Sequence, residues 1–309
     1  MPRYSVAPGA DLHKINVFHD AAFTADLIAA IQFSANNGYD VASMSLGFGP
    51  VNGQSTIQIP MEQAMQNAND LGTLVIGSAG NSGSGAAGGP TTSPGTEFSG
   101  FSVGASNDQR GIASFSSGTV VGPNSAITFD AAFNSVSYPD TYPREFVKPD
   151  VSAPGVSVLS AGPLGGDIGD PAATYSFSSG TSMAAPHAAG AVALVQSATS
   201  VEHSPEAIEN ALAETAEKPS GAPATNERDI RYGAGIINVT AATMTLQEGT
   251  TTLSGEVTDA TTGDGLTGAK ITTDTNVVTA TENGNYITEV TADTQNVTVT
   301  ADEFGYTAE

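Results

Sequence analysis

The run from Ala184 to Val195 carries no Asp, Glu, Lys or Arg. A helix that is apolar all round must be buried all round, so this segment belongs in the interior of a layered domain. The residues leading into it read Gly180-Thr181-Ser182-Met183-Ala184-Ala185-Pro186-His187. A Gly-Thr turn therefore delivers a serine to the start of a buried helix. Backbone N–H groups at a helix N-terminus lack intrahelical partners and point at any anion placed there. A serine in that position can attack a carbonyl while nearby N–H groups hold the oxyanion that forms.

Residues 1–240 alternate strand-like and helix-like signals. Leu12 to Phe18 reads as a strand. Phe23 to Asn37 reads as a helix with Leu27, Ile28, Ile31 and Ala35 on one face and Gly38 as its stop. Val41 to Leu46 reads as a short buried strand. Pro60 to Leu71 reads as a second helix that turns Met61, Ala64, Met65, Ala68 and Leu71 inward. Leu74 to Ser78 is the next strand, and Pro205 to Thr215 a peripheral helix. Such alternation implies a parallel sheet with helices on both faces. Ligands in such sheets bind beyond the carboxyl ends of the strands, where Leu46-Gly47 and Ala79-Gly80-Asn81 fall. Ser82 to Pro94 and Gly118 to Tyr142 read as loops, the second as a surface insertion.

Asp and Glu total 32 against 9 Lys and Arg, a formal net charge of −23. Residues 241–309 contribute 11 acids and 1 base, so the excess is spread over both parts of the chain. This charge opposes binding to nucleic acid or to anionic membranes. Its self-repulsion points to a protein adapted to high salt, where screening is short-ranged. No apolar stretch is long enough to span a bilayer. The first residues do not read as a signal peptide. The absence of cysteine excludes disulfides, thiolate metal sites and a cysteine nucleophile.

The Gly180–His187 motif resembles the nucleophile motif of the subtilisin-like serine proteases, and the likeness runs from Val6 to about Ala242. It implies a secreted, extracellular serine-type endopeptidase acting on peptide or protein substrates, with Ser182 as nucleophile. Asp40-Val41-Ala42-Ser43-Met44-Ser45-Leu46-Gly47 matches the strand lining the family's substrate cleft, so Ser45, Leu46 and Gly47 are expected to bind substrate backbone as an added strand. Gly77-Ser78-Ala79-Gly80-Asn81 matches the oxyanion-hole motif. It implies Asn81 as side-chain donor, with Ala79 and Gly80 on the cleft wall. Thr92-Ser93-Pro94 aligns with the floor of the primary specificity pocket. Asp150 to Gly155 and Gly233 to Asn238 match structural segments. The chemistry needs no cofactor. The family is often stabilised by calcium, for which no ligands are assigned here.

Members of this family take their acid and base from an Asp-Thr/Ser-Gly and a His-Gly-Thr-His upstream of the segments matched here. Neither motif occurs in these 309 residues. Of the four histidines, His187 lies five residues after Ser182, about 140° round a helix and about 7.5 Å along it, so the side chains diverge. His13 and His203 are expected at the surface. His19, at a strand end, is the one candidate for a replacement base. The expectation is an N-terminally truncated peptidase, inactive alone: a truncated gene, a miscalled start, or half of a split enzyme whose Asp and His are supplied by an N-terminal fragment. The alternative is a non-catalytic surface or binding protein on a relic protease fold.

Beyond residue 250 threonine becomes frequent and short β-rich runs appear: Thr252–Val257, Ala269–Thr273, Val277–Ala280, Tyr286–Val290 and Val297–Thr300. Gly255-x-Val257, Ala269, Gly284-x-Tyr286 and Gly305-Tyr306 resemble the carboxypeptidase regulatory-like module. The sequence therefore predicts an α/β fold with a helix-flanked parallel sheet, incomplete on its N-terminal side, over residues 1–245. A small β-sandwich is predicted over residues 250–309.

Overall fold

The computed structural model describes residues 5–18, 24–161, 175–199, 202–219, 228–248, 250–259, 261–273, 277–291 and 297–300. His19 and the Gly305-Tyr306 pair lie outside them. The chain divides into two compact units, one comprising Met1–Leu194 and Leu212–Val239, the other Val195–Ala211 and Thr240–Glu309.

In chain order the elements begin with α1 (Thr24–Asn36), β1 (Val41–Met44), β2 (Ser55–Gln58), α2 (Ile59–Asp70), β3 (Leu74–Ser78) and β4 (Phe101–Ser106). Next come β5 (Thr119–Val121), β6 (Ala126–Phe129), β7 (Ser135–Val136), β8 (Phe146–Lys148), β9 (Val151–Pro154), β10 (Val158–Ala161) and β11 (Tyr175–Ser178). Helices α3 (Thr181–Ala198), α4 (Pro205–Glu214) and α5 (Val239–Glu248) follow. The sequence reading had no counterpart for α5.

The first unit is built on a parallel sheet of order β1-β3-β4-β9. Every residue of β3 and β4 is buried, as a parallel sheet covered on both faces requires. Helices α1 and α2 bring Leu27, Ile31, Met61 and Met65 onto Met44 of β1 and Val75 of β3, forming one apolar cluster. Gly38, at φ 66°, turns the chain out of α1. Pro60 sits in the first turn of α2, where its missing N–H costs no hydrogen bond.

Several expectations need correction. Leu12 to Phe18 forms no strand, and Leu12 is 96% exposed. Among the described residues β1 is paired on one side only, to β3, and apolar alternation without a backbone partner does not make a strand. Leu71 is 62% exposed, because α2 stops at Asp70 and Leu71 is its C-cap. Gly118 to Tyr142 is not plain loop: β6 pairs with β2 and β7, and β5 with β8. That insertion has its own core, Ile57, Val121 and Ala126 under Tyr138, Tyr142 and Phe146.

α3 is not buried on all sides. Ala184, Ala185, Ala188, Ala191, Val192 and Val195 are buried, whereas Pro186 is exposed and Ala189, Ala193 and Leu194 are half-buried. Alanine costs little where it meets water, so an apolar run of alanines tolerates one wet flank. His203 is only 2% exposed rather than on the surface. Burial holds its imidazole pKa below the usual value, which favours the neutral ring.

The second unit contains β12 (Thr250–Glu256), β13 (Lys270–Thr273), β14 (Val277–Thr279), β15 (Asn285–Thr291) and β16 (Val297–Thr300). β12 pairs antiparallel with β15, and β13 lies between β14 and β16, also antiparallel. Ala269, Ile271 and Ala280 form its core with Val257, Leu266, Tyr286 and Val299. Gly255 stands opposite Tyr286 in the β12–β15 register, and a side chain there would collide with the tyrosine hydroxyl at 2.8 Å.

Candidate active site

β1, β3 and β9 run parallel, so their carboxyl ends emerge on one side of the sheet. Ser45 follows β1, Ala79 follows β3 and Gly155 follows β9. All three lead to the start of α3. The Gly180 N–H donates to the Gly155 carbonyl at 2.8 Å. The Thr181 N–H donates to Asn81 Oδ1 at 2.9 Å, and the Thr181 hydroxyl donates to the same oxygen at 3.1 Å. Thr181 Oγ1 in turn accepts the Gly80 N–H at 3.1 Å. A backbone N–H can only donate, so the Asn81 atom facing Thr181 must be its oxygen. The amide nitrogen is thereby turned away from Thr181, and it lies 3.5 Å from where a Cβ on Gly180 would stand. Asn81 itself is exposed.

Ser182 is the second residue of α3 and half-buried. Its hydroxyl donates to the Ser45 carbonyl at 3.3 Å, and the Ser45 hydroxyl donates to the Ser182 carbonyl at 2.8 Å. These two bonds join the end of β1 to the first turn of α3. The sequence reading assigned Ser45 to substrate only and missed this pairing, since nothing in a linear sequence brings residues 45 and 182 together.

Thr92 lies between the two walls. A Cβ on Gly47 would stand 2.7 Å from Thr92 Oγ1, and one on Gly80 would stand 3.0 Å from Thr92 Cγ2. The Thr92 N–H donates to the Ala79 carbonyl at 3.2 Å, and the Phe48 N–H donates to the Ser93 carbonyl at 2.8 Å. The segment 92–93 is thus stitched across the ends of both strands, with the threonine side chain between them. Glycine at 47 and 80 is what allows this close approach. Leu46 is half-buried and packs on the α1–α2 cluster.

Glu97 is a further functional candidate that sequence reasoning passed over, being one acid among 32. It is fully buried, and its Oε1 accepts the Gln58 N–H at 3.0 Å and the Ser93 hydroxyl at 2.5 Å. Oε2 has no hydrogen-bond partner among the described residues. Burial pushes the carboxyl pKa up from 4.5 to about 7, against the two hydrogen bonds that pull it down and with the charge of Glu62 adding to the rise. Asp150 is a structural anchor. It is buried, its Oδ2 bonds Lys148 Nζ at 2.7 Å and the Ser102 N–H at 2.7 Å, and its Oδ1 meets Arg228.

The histidines fall in different places. His13 is exposed and stacks on Tyr39 with ring centroids 4.6 Å apart. His187 places Nδ1 2.8 Å from the Met183 carbonyl. Because a carbonyl only accepts, Nδ1 carries the proton there. His203 belongs to the second unit, where the Gln196 side chain bonds its backbone N–H and carbonyl. Among the described residues no group of three or more His, Asp or Glu side chains is placed to hold a metal ion, and no helix is long and apolar enough to cross a membrane.

Known proteins resemble this arrangement in sequence and in fold. The profile of the subtilase family matches residues 4–235. Subtilisin DY of Bacillus licheniformis is 34% identical over 241 residues, covering 77% of this chain and 69% of that protein. Subtilisin Savinase of Lederbergia lenta is 30% identical over 240 residues, covering 77% of this chain and 70% of that protein. An alkaline protease of Alkalihalobacillus alcalophilus is also 30% identical, but the match spans only 49% of its length. Among solved structures, a protease from Pseudoalteromonas arctica superposes with a TM-score of 0.51 at 26% identity, over 73% of this chain and 59% of that one. The prenylagaramide maturation protease PagA shares the fold with a TM-score of 0.52.

Proposed function

Because this chain belongs to the subtilase family, we propose that it carries the nucleophile and oxyanion half of a serine-type endopeptidase. Ser182 Oγ attacks the scissile carbonyl. Asn81 Nδ2 and the Ser182 N–H hold the oxyanion. The C–N bond then breaks, the amine leaves with a proton, and water hydrolyses the acyl-serine ester. The substrate backbone lies along Ser45-Leu46-Gly47, with one side chain between Gly47 and Gly80 over Thr92. Thr92 fills much of that space, so the side chain is small.

One observation carries this reading. Asn81 Oδ1 is tied to Thr181 by two hydrogen bonds, which fixes the amide plane and leaves its nitrogen on the side away from Thr181, near Gly180. An asparagine serving only as a turn has no need of that tie.

The proton-handling partners are the other half. The 309 residues contain neither the Asp-Thr/Ser-Gly nor the His-Gly-Thr-His motif, and His187 spends its Nδ1–H on a carbonyl. The acid and base come instead from another polypeptide segment. The outer edge of β1 offers such a segment a place to pair, and Leu12, Ile15, Phe18 and Phe33 are exposed as apolar surface for it to cover. Alone, residues 1–309 bind peptide but turn it over negligibly. The missing motifs also favour a second reading, a protein that binds peptides without cleaving them. We place the protein outside the cell, in concentrated salt, on its kinship and its charge of −23.

The test is an assay of purified 1–309 with a chromogenic peptide amide, beside a fluorescence-anisotropy titration with a labelled peptide. Binding without turnover is expected. Addition of a polypeptide bearing the two motifs should restore turnover that Ser182→Ala abolishes. Restoration failing while binding persists would favour the non-cleaving reading. A chain that binds no peptide and hydrolyses none in either state would refute both.

A further inference from the structure

Pro186 stands inside α3, four residues after Ser182. Proline has no N–H, so it cannot supply the hydrogen bond that the carbonyl four residues earlier would receive in an uninterrupted helix. That carbonyl belongs to Ser182. The donor it receives is the Ser45 hydroxyl, at 2.8 Å, from a strand end 137 residues away in sequence. The next carbonyl in the weakened turn, that of Met183, receives the His187 Nδ1–H at 2.8 Å. Both carbonyls beside the proline therefore have side-chain donors.

We infer that Ser45 is a positioning residue for Ser182. It replaces the backbone donor that Pro186 lacks and so fixes the first turn of α3, on which the Ser182 hydroxyl is carried. The geometry is reciprocal: the same Ser45 that donates to the Ser182 carbonyl accepts the Ser182 hydroxyl on its own carbonyl, at 3.3 Å. Two bonds in opposite senses hold residue 182 against the end of β1. The Ser45 carbonyl is a weak, long acceptor that a substrate can displace, whereas the short side-chain bond persists. The inference rests on the reading of Ser182 as nucleophile and extends it to the residue that aims it.

The chain contains no cysteine, so Ser182→Cys creates a single thiol at the position in question. A thiol reacts without a general base, and its pKa is lowered by a helix N-terminus when it is held there. The experiment follows alkylation of Ser182→Cys by iodoacetamide from pH 6 to 10, alone and combined with Ser45→Ala, Ser45→Thr, or Ser45→Ala with Pro186→Ala. Ser45→Ala should raise the thiol pKa and slow alkylation at pH 7 by roughly two- to fivefold, the size of a helix-end effect. Ser45→Thr, which keeps the hydroxyl, should preserve the parental profile. Pro186→Ala, which restores a backbone N–H, should recover it in the Ser45→Ala background. A role in general stability would not be rescued at residue 186. An unchanged profile in Ser45→Ala, or no recovery with Pro186→Ala, overturns the inference. A thiol in Ser182→Cys as sluggish as an unstructured one in every background, with Ser45 and Pro186 intact included, would instead remove the nucleophile reading on which the inference stands.

Discussion

Replacing Glu97 with glutamine should stabilise the protein, and only above the acid range. The carboxyl is fully buried, and its pKa rises from 4.5 to about 7 on folding. Below pH 4.5 it is protonated in folded and unfolded chains alike, and ionisation takes nothing from stability. Between pH 4.5 and 7 the unfolded chain loses the proton first, so each step up in pH disfavours folding. Above about pH 7 the penalty is constant. A rise from 4.5 to about 7 corresponds to about 3 kcal/mol. Glutamine mimics the protonated acid, keeping an oxygen for the Gln58 N–H and the Ser93 hydroxyl while never ionising. Urea unfolding of Glu97→Gln and the parent, followed by circular dichroism, should give stabilities that differ by less than about 1 kcal/mol at pH 5 and by about 3 kcal/mol at pH 8. Acids remote from residue 97 titrate alike in both proteins, so the growth of the gap reports Glu97 together with its coupling to Glu62. A gap independent of pH would show that the carboxyl ionises as easily folded as unfolded, and the reasoning from burial would fail.

Lys148→Met should destabilise the first unit by about 3 kcal/mol, because Asp150 stays buried after losing the ammonium 2.7 Å from it; a loss below about 1 kcal/mol in urea would contradict this. Gly47→Ala should weaken labelled-peptide binding about tenfold, since the new methyl would stand 2.7 Å from Thr92 Oγ1 and must displace it into the cleft. Anisotropy titration reads the change, and unaltered affinity would separate Thr92 from the binding surface. With a net charge of −23, the urea midpoint should rise between 0.1 M and 2 M sodium chloride as the screening length falls from about 10 Å to below about 3 Å. A flat response would remove the argument for adaptation to salt.

Where a signal was local, the sequence was sufficient. Leu27, Ile31 and Ala35 declare the buried face of α1 by their spacing, and Leu74 to Ser78 is a strand with the ends expected of it. The Gly180–His187 run announces both the helix and the hydroxyl at its start. What failed depended on partners distant in the chain. Leu12 to Phe18 has the composition of a strand and pairs with no strand among the described residues. β2 and β6, far apart in the chain and joined by a parallel register, gave no periodic signal because each is four residues long. His203 sits in polar sequence yet is buried, a consequence of tertiary packing alone. In the site, Ser182, Asn81, Gly47 and Thr92 were each named from a motif. The Ser45–Ser182 bonds and the carboxyl of Glu97 were invisible, since both are consequences of which strand ends meet.

The way those ends meet explains how residues far apart in the chain are held together at the start of α3. Parallel neighbours lie about 4.8 Å apart, so β1 and β3, paired in register up to Met44 and Gly77, send the segments carrying Ser45 and Asn81 out on the same side of the sheet. β9 delivers Gly155 on the same side, where its carbonyl receives Gly180. Three strand exits therefore pin three successive residues of one turn: Gly155 holds Gly180, Asn81 holds Thr181 and Ser45 holds Ser182. Each contact belongs to a different strand, so loosening one leaves two to keep the hydroxyl and the amide in register. No member of this set requires a histidine or an aspartate. The positions of Ser182 and Asn81 are thus set by the ends of the sheet's own strands.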